Sequence, residues 1–212
     1  MDDESGTRTT RWAGVPADER TRDRRALLIE VTFDLFGTEG DVATSIRAIC
    51  RAAELNARYF YESFTDRDDL LAAVYDREAA KLAEQLGAAL DPNASDPATN
   101  ARAGIGTVLR FITDDPRRAR ILFTEGRANP ALAERRRTAV RALVDGIAEA
   151  GRQELGHDRP GSVADVAATL FGGAMEELAQ AWIDDRLGSD LDQVVDTATA
   201  LSLAIFDKAR GA

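Results

Sequence analysis

Residues 44–71, TSIRAICRAAELNARYFYESFTDRDDLL, decide the fold of this 212-residue chain. Ile46, Ile49, Cys50 and Ala53 recur at helical spacing, so a short helix is predicted to open just after Thr44. A threonine there can accept a hydrogen bond from a free amide of the first turn and act as N-cap. Glu54, Leu55 and Asn56 interrupt the period. Leu55 is predicted to plug the angle between two helices, and Asn56 to cap the second, 57–64. That helix brings Phe60 and Phe64 onto one face at i and i+4, with Arg58, Tyr59 and Glu62 elsewhere. Thr65-Asp66-Arg67-Asp68 then reads as a capping signature ahead of Leu70, Leu71 and Val74. Two helices joined by so short a turn pack at a steep angle, and the second is left presented for docking.

This is the layout of a helix-turn-helix reader of duplex DNA. Across about residues 22–75 the chain resembles the N-terminal domain of the tetracycline-repressor (TetR) family of transcriptional regulators. Phe36, Gly40, Thr44, Ser45, Ile46, Ile49, Ala53, Leu55, Asn56, Phe60, Tyr61, Phe64, Arg67 and Leu70 stand at matching places. Three positions depart. Glu54 stands where the family usually has a turn glycine, and a left-handed backbone there costs a non-glycine residue on the order of 1 kcal/mol. Cys50 replaces the usual alanine, and Ser63 lies where His, Tyr or Asn is common.

The resemblance implies the roles of the reader residues. Thr44, Tyr61 and Arg67 match positions that contact phosphate, with Ser45 beside Thr44 in the same DNA-facing set. Asn56, Ala57, Arg58 and Tyr59 open the recognition helix, where side chains reach base edges. Arg58 is the candidate for a bidentate guanine contact, worth about 1–3 kcal/mol of discrimination. The competing accounts are plain ones: Tyr61 as packing, Arg58 as a solvated charge. Arg8 and Arg11, in the tail, are candidates for the minor groove against a plain floppy segment.

Formal charge is −10, which weighs against a nucleic-acid partner. Placement can override the total, because fields are screened beyond about 8 Å at physiological salt. Arg20, Arg22, Arg24 and Arg25 start the first helix, and Arg47, Arg51, Arg58 and Arg67 lie in the reader, so a small basic face on an acidic body is expected. Lysine occurs only at Lys81 and Lys208, which reads as coding bias from a GC-rich genome. The polar start lacks an apolar signal core, no apolar run is long enough to span a membrane, and one cysteine makes no internal disulfide. A cytoplasmic protein without membrane contact is expected.

The rest of the chain reads as helix throughout, giving an all-α fold of about nine helices. A flexible tail over 1–20 is followed by the helix-turn-helix domain over 21–75, with the start of a connecting fourth helix. An effector-binding and dimerisation domain occupies 76–212. The first helix is expected over 21–36 and the fourth over 66–90, and periodicity breaks hardest at 91–96. Asp96-Pro97, Asp115-Pro116 and Asn129-Pro130 place proline at the first position of helices 97–113, 116–126 and 130–155. A loop follows at 156–161, and Ser162 and Ser189 are expected to begin the last two helices.

Those last two helices carry broad apolar faces rich in small residues, more than one core needs. The resemblance implies a homodimer through a four-helix bundle, with Ala167, Leu170, Ala174, Leu178, Ala198, Leu201 and Ile205 at the interface. Pairing would set two readers about 34–36 Å apart, the spacing of successive major grooves on a palindromic operator. The bland alternative is intrachain core. The resemblance also implies a small-molecule cavity, with Leu109, Phe111, Leu122, Phe123, Val140, Leu143, Ile147, Phe171, Met175 and Trp182 as candidate walls and a largely apolar effector as default.

Enzyme chemistry finds little support. Glu154-x-x-His157 has the spacing of a di-iron ligand pair, but such a site needs two motifs and the chain has one histidine. No phosphate-cradling loop or nucleophile–histidine set can be assembled, and Cys50 falls on the inner face of its helix. No catalytic residue, metal ligand or cofactor is therefore assigned. The expected protein is a ligand-responsive transcriptional regulator, a repressor by preference. Its rival is an all-α ligand-binding or interaction protein whose reader has decayed.

Overall fold

The computed structural model describes residues 17–91, 93, 94, 96–155 and 163–210. Among them the secondary structure is helical throughout, in nine helices. These are α1 (Ala17–Glu39), α2 (Ile46–Ala52), α3 (Ala57–Tyr61), α4 (Arg67–Ala89), α5 (Pro97–Asp114), α6 (116–128), α7 (Pro130–Leu155), α8 (Val163–Ile183) and α9 (Leu191–Arg210). α1 begins four residues earlier than the sequence suggests, inside the segment expected to be tail. Arg8, Arg11, His157 and Ser162 lie outside the described residues.

α1 packs on α2, α3 and α4, which closes the reader around Leu28, Phe36, Ile49, Phe60, Leu70 and Leu71, all fully buried. α4 runs on without a break against α5 and α7, and the body is completed by α7 on α8 and α9 on α5. Buried residues form one continuous cluster from Leu28 to Val195. Burial of this apolar surface, at about 25 cal/mol per Å², is what holds short helices such as α2 and α3 that would not persist alone. One charge is buried with them. Glu78 on α4 is fully enclosed and accepts from Arg77 Nε at 2.8 Å and Lys81 Nζ at 2.9 Å.

Several helix starts shift by a residue or more from expectation. Ser45, not Thr44, caps α2, accepting from Ala48 N–H at 3.2 Å. Asp66, not Thr65, caps α4, accepting from Asp69 N–H at 2.8 Å, while Asp69 accepts in return from Thr65 N–H at 3.0 Å. Asp190, not Ser189, caps the last helix through Gln193 N–H at 3.0 Å. Asn56 caps α3 through Tyr59 N–H at 3.3 Å, and Asp96 and Asp115 cap α5 and α6 ahead of their prolines.

α6 is not a uniform helix. Pro116–Ala119 is α-helical, Arg120–Glu125 winds as a π-helix, and Gly126–Ala128 returns to α geometry. Wide turns of this kind are rare and concentrate where function or crowding distorts a helix. Here the crowding is visible at Gly126, where an added Cβ would lie 3.0 Å from Tyr75 Cε2 and 3.2 Å from Ile121 O.

Candidate nucleic-acid interface

The reader is built from the inside out. Phe60 and Phe64 pack together, ring centroids 6.0 Å apart, and root α3 in the core while its other face stays open. Between α2 and α3 the chain turns through Glu54, whose φ of 54° is the left-handed conformation that glycine would adopt freely. The turn is held by Leu55 N–H donating to Cys50 O at 2.9 Å, with Leu55 half-buried between the helices. Burial pushes the Cys50 thiol pKa up, which keeps it protonated and inert.

On the open face, Arg58 keeps 83 % of its side chain exposed and Tyr61 is 59 % exposed. Ser45, Ala57, Arg47 and Arg51 are exposed as well. Tyr61 meets Phe60 edge-on, ring centroids 5.3 Å apart. Asn56 is exposed, but its side-chain oxygen is committed to the α3 cap. Tyr59 is half-buried beneath Arg24, whose guanidinium carbon sits 4.2 Å from the ring centroid. Arg25 covers Phe64 in the same manner at 4.1 Å and donates to Ser63 O at 2.8 Å.

Two residues assigned to phosphate are placed otherwise. Thr44 is fully buried and donates its hydroxyl to Gly40 O at 2.7 Å, so it closes the α1–α2 turn and has no surface to offer. The Gly40 backbone, at φ 81°, bends the carbonyl into reach. Arg67 donates to Asp41 O at 3.1 Å and Asp41 Oδ1 at 3.0 Å, so a phosphate would have to displace Asp41. The sequence reading also missed the partner of Arg58. Glu62 accepts from Arg58 Nε at 3.0 Å and from Arg24 Nη1 at 3.1 Å. The i, i+4 half of that arrangement was readable from spacing; the contact from α1 was not.

The body grips this reader through the end of α1 and the turn into α2. Arg120 donates to Thr38 O at 2.7 Å, Asn129 Nδ2 to Asp41 Oδ1 at 2.8 Å, and Arg117 pairs with Asp34. Glu125, buried, accepts from Arg120 Nε at 3.3 Å. α6 and its junction with α7 therefore hold the segment that leads into α2.

The expected effector walls fall at different depths of the body. Leu109, Phe111, Leu122 and Met175 are buried in the main core, and Phe123, Phe171 and Trp182 pack against it half-buried. Val140 and Ile147 are half-buried and Leu143 is exposed. A groove of about 400 Å³ lies between α4 and α7, lined by Tyr75, Asp76, Ala79, Glu134, Arg135, Thr138, Ala139 and Ala142. Its alanines leave the room, and none of its residues was in the expected set. Burial pushes the Tyr75 hydroxyl up to about 12.

Of the expected dimer face, Leu170, Ala174, Leu201 and Ile205 are exposed and Leu178 and Ala198 half-buried. Ala167 is buried inside the chain, on the Ala164, Ala168, Met175, Ala179 stripe of α8, and drops out of that face. Val163 and Val166 join the exposed set. Among the described residues, no group of three or more His, Cys, Asp or Glu side chains could hold a metal ion, and no helix is long and apolar enough to cross a membrane.

Fold and exposed α3 face together define an all-α helix-turn-helix protein. Residues 28–74 match the family model described as bacterial regulatory proteins, tetR family. Solved structures share the architecture over most of their length. A TetR-like transcriptional regulator from Rhodococcus sp. RHA1 superposes with TM-score 0.67 at 22 % identity, covering 85 % of this chain and 93 % of that one. A tetR-family transcriptional regulator from Streptomyces coelicolor gives 0.71 at 19 %, covering 89 % and 82 %. FadR from Bacillus subtilis, solved in complex with stearoyl-CoA, gives 0.71 at 15 %, covering 84 % and 97 %. Residues 28–74 thus carry the reader described by the tetR family model, and the chain as a whole shares the fold of these solved regulators.

Proposed function

We propose that this chain is a ligand-responsive repressor that binds a palindromic operator as a homodimer and is released by a small, largely apolar effector. The observation that carries the reading is the reader's geometry. Its core is fully buried, Arg58 and Tyr61 stand open on α3, and the body holds the end of α1 through Arg120 and the turn into α2 through Asn129. In this reading 21–75 is the DNA-binding unit and 76–212 carries effector and partner, in the cytoplasm. Ser45, Ala57, Arg58 and Tyr61 meet DNA, with Asn56 and Tyr59 beside them and Arg67 available once Asp41 yields.

Homodimerisation is supported by the row of exposed apolar side chains on α8 and α9, Leu170 at 57 % and Leu201 at 64 % exposure among them. A row of this kind in water is a docking surface more often than a free one. For the effector, the groove beside Tyr75 is the favoured entry, since Tyr75 abuts Gly126 in α6 and α6 holds the reader's turn. The stearoyl-CoA bound by FadR of Bacillus subtilis supports an apolar ligand class for this architecture. A ligand that binds better to a state with the turn released lowers operator affinity by its differential binding to the two states.

The test is fluorescence-anisotropy titration of duplexes taken from beside the protein's own gene, at two salt concentrations, with Tyr61→Ala as control. Saturable, sequence-preferring binding lost in the variant supports the regulator. No preference there or in selection from random duplex would sink it.

A further inference from the structure

We infer that Glu62 is a positioning residue that orients Arg58 and so sets which base the recognition helix reads. The inference rests on the DNA-binding reading above. Glu62 stands one turn after Arg58, at the end of α3, and its two carboxylate oxygens are divided between two arginines. Oε1 accepts from Arg58 Nε at 3.0 Å, and Oε2 from Arg24 Nη1 at 3.1 Å. Arg24 is itself fixed. Its side chain is largely buried, stacked 4.2 Å over the Tyr59 ring, and it springs from α1, which the reader core holds through Leu28.

The chemistry follows from which nitrogen is taken. With Nε engaged, the Arg58 fork keeps both terminal nitrogens, the end-on donor pair that matches N7 and O6 of guanine. An arginine free in solvent spreads over many rotamers and binds any nearby phosphate oxygen as readily as a base. Held along its Nε edge, it is pre-organised for one approach. An ordinary exposed i, i+4 pair stabilises a helix only slightly. Two features separate Glu62 from that ordinary case: the second arginine arriving from another helix, and its place on the face that would meet a polyanion. A carboxylate there repels phosphate, which weakens non-specific binding while leaving the guanine contact intact. Discrimination therefore rises by both routes.

The experiment uses the full-length protein and the duplex that selection from random sequence yields. Every position of each half-site is then replaced in turn by the other three bases, and affinities are compared for wild type, Glu62→Gln and Arg58→Ala. Arg58→Ala should flatten a guanine preference at one position per half-site. Glu62→Gln should reduce the preference at that same position from about tenfold or more to less than about threefold, leaving other positions unchanged. Affinity for random duplex should rise severalfold, with a steeper salt dependence as two arginines are released toward phosphate. Circular-dichroism melting checks that the variant is folded. A Glu62→Gln protein that keeps the guanine preference, or weakens evenly at every position, overturns the positioning role. A wild type that selects no sequence overturns the DNA-binding reading itself, and this inference with it.

Discussion

Asn129 donates its side-chain amide to Asp41 Oδ1 at 2.8 Å, joining the start of α7 to the turn before α2 across 88 positions of sequence. The same residue accepts from Ala131 N–H at 2.9 Å, and the same carboxylate oxygen accepts from Arg67 at 3.0 Å. One side chain is thus both a helix cap and the strap between body and reader.

Asn129→Ala removes both roles. Loss of the cap alone costs about 1 kcal/mol, and the unpaired Asp41 adds to it. A melting temperature lower by roughly 2–6 °C is expected in a chain of this size, with faster amide exchange over residues 38–45. Asn129→Asp keeps a cap but sets a carboxylate against Asp41, so it should loosen the turn at least as much. Unchanged exchange there in both variants would show that the strap holds nothing.

Glu54 and Gly40 both sit at positive φ, at 54° and 81°, and only one of them is a glycine. Glu54→Gly should relieve about 1 kcal/mol of backbone strain, raising the melting temperature by about 2–4 °C. Gly40→Ala should do the reverse and more, since its Cβ would fall 2.4 Å from Arg120 Nη2 and 2.7 Å from Glu125 Oε1. Thermal denaturation of the pair checks both signs.

Leu170→Arg combined with Leu201→Arg places two cations on the exposed apolar row of α8 and α9. Light scattering should then report a monomer of unchanged helicity. Operator affinity should fall by about a hundredfold or more, because the second reader no longer binds as part of one molecule. A dimer that survives both changes would move the interface elsewhere.

Tyr75 gives the alkaline limb of stability. Its folded pKa is raised from the ordinary value of 10 to about 12 by burial. The contribution is therefore fully present below pH 10 and is lost as pH rises through 12. Tyr75→Phe should abolish that part of the alkaline stability loss, along with the share of the tyrosinate absorbance rise centred near pH 12. A variant that loses stability over the same alkaline range as wild type would count against it.

At the acid end, Asp115 caps α6 and also accepts from the Arg117 side chain at 2.9 and 2.8 Å, which holds its carboxyl below the usual range. Its contribution is present above the unfolded carboxyl value, about 4, and fades as pH falls through the lower folded one. Asp115→Asn should be less stable than wild type at pH 7, with the gap closing in acid urea titrations.

What sequence conveyed, it conveyed through local geometry. Phe60 and Phe64 declared the buried face of α3, Asn56 its cap, and Glu54 the strained turn, because each depends on neighbours within a few positions. Thr44 and Ser45 show the limit. Either hydroxyl suits an N-cap, and the choice fell to Gly40, whose carbonyl claims Thr44 and leaves Ser45 for the helix. The candidate effector walls are ambiguous for another reason: an apolar stripe looks the same whether it lines a cavity or fills one. Contacts such as Arg24 with Glu62, 38 positions apart, exist only once α1 has folded onto α3. The π stretch of α6 was equally hidden, since RILFTE is an unremarkable helical string.

That stretch has a mechanical meaning. Six residues, Arg120–Glu125, wind more loosely than an α-helix would wind them, so α6 carries slack. Taking it up would turn everything beyond by about 100° and shift it by about 1.5 Å per residue gained. Asn129 stands four residues beyond Glu125, and its side chain holds Asp41 by one hydrogen bond. Winding that stretch as a uniform α-helix would therefore break the Asn129–Asp41 hydrogen bond, because a 2.8 Å contact does not survive a further shift of about 1.5 Å.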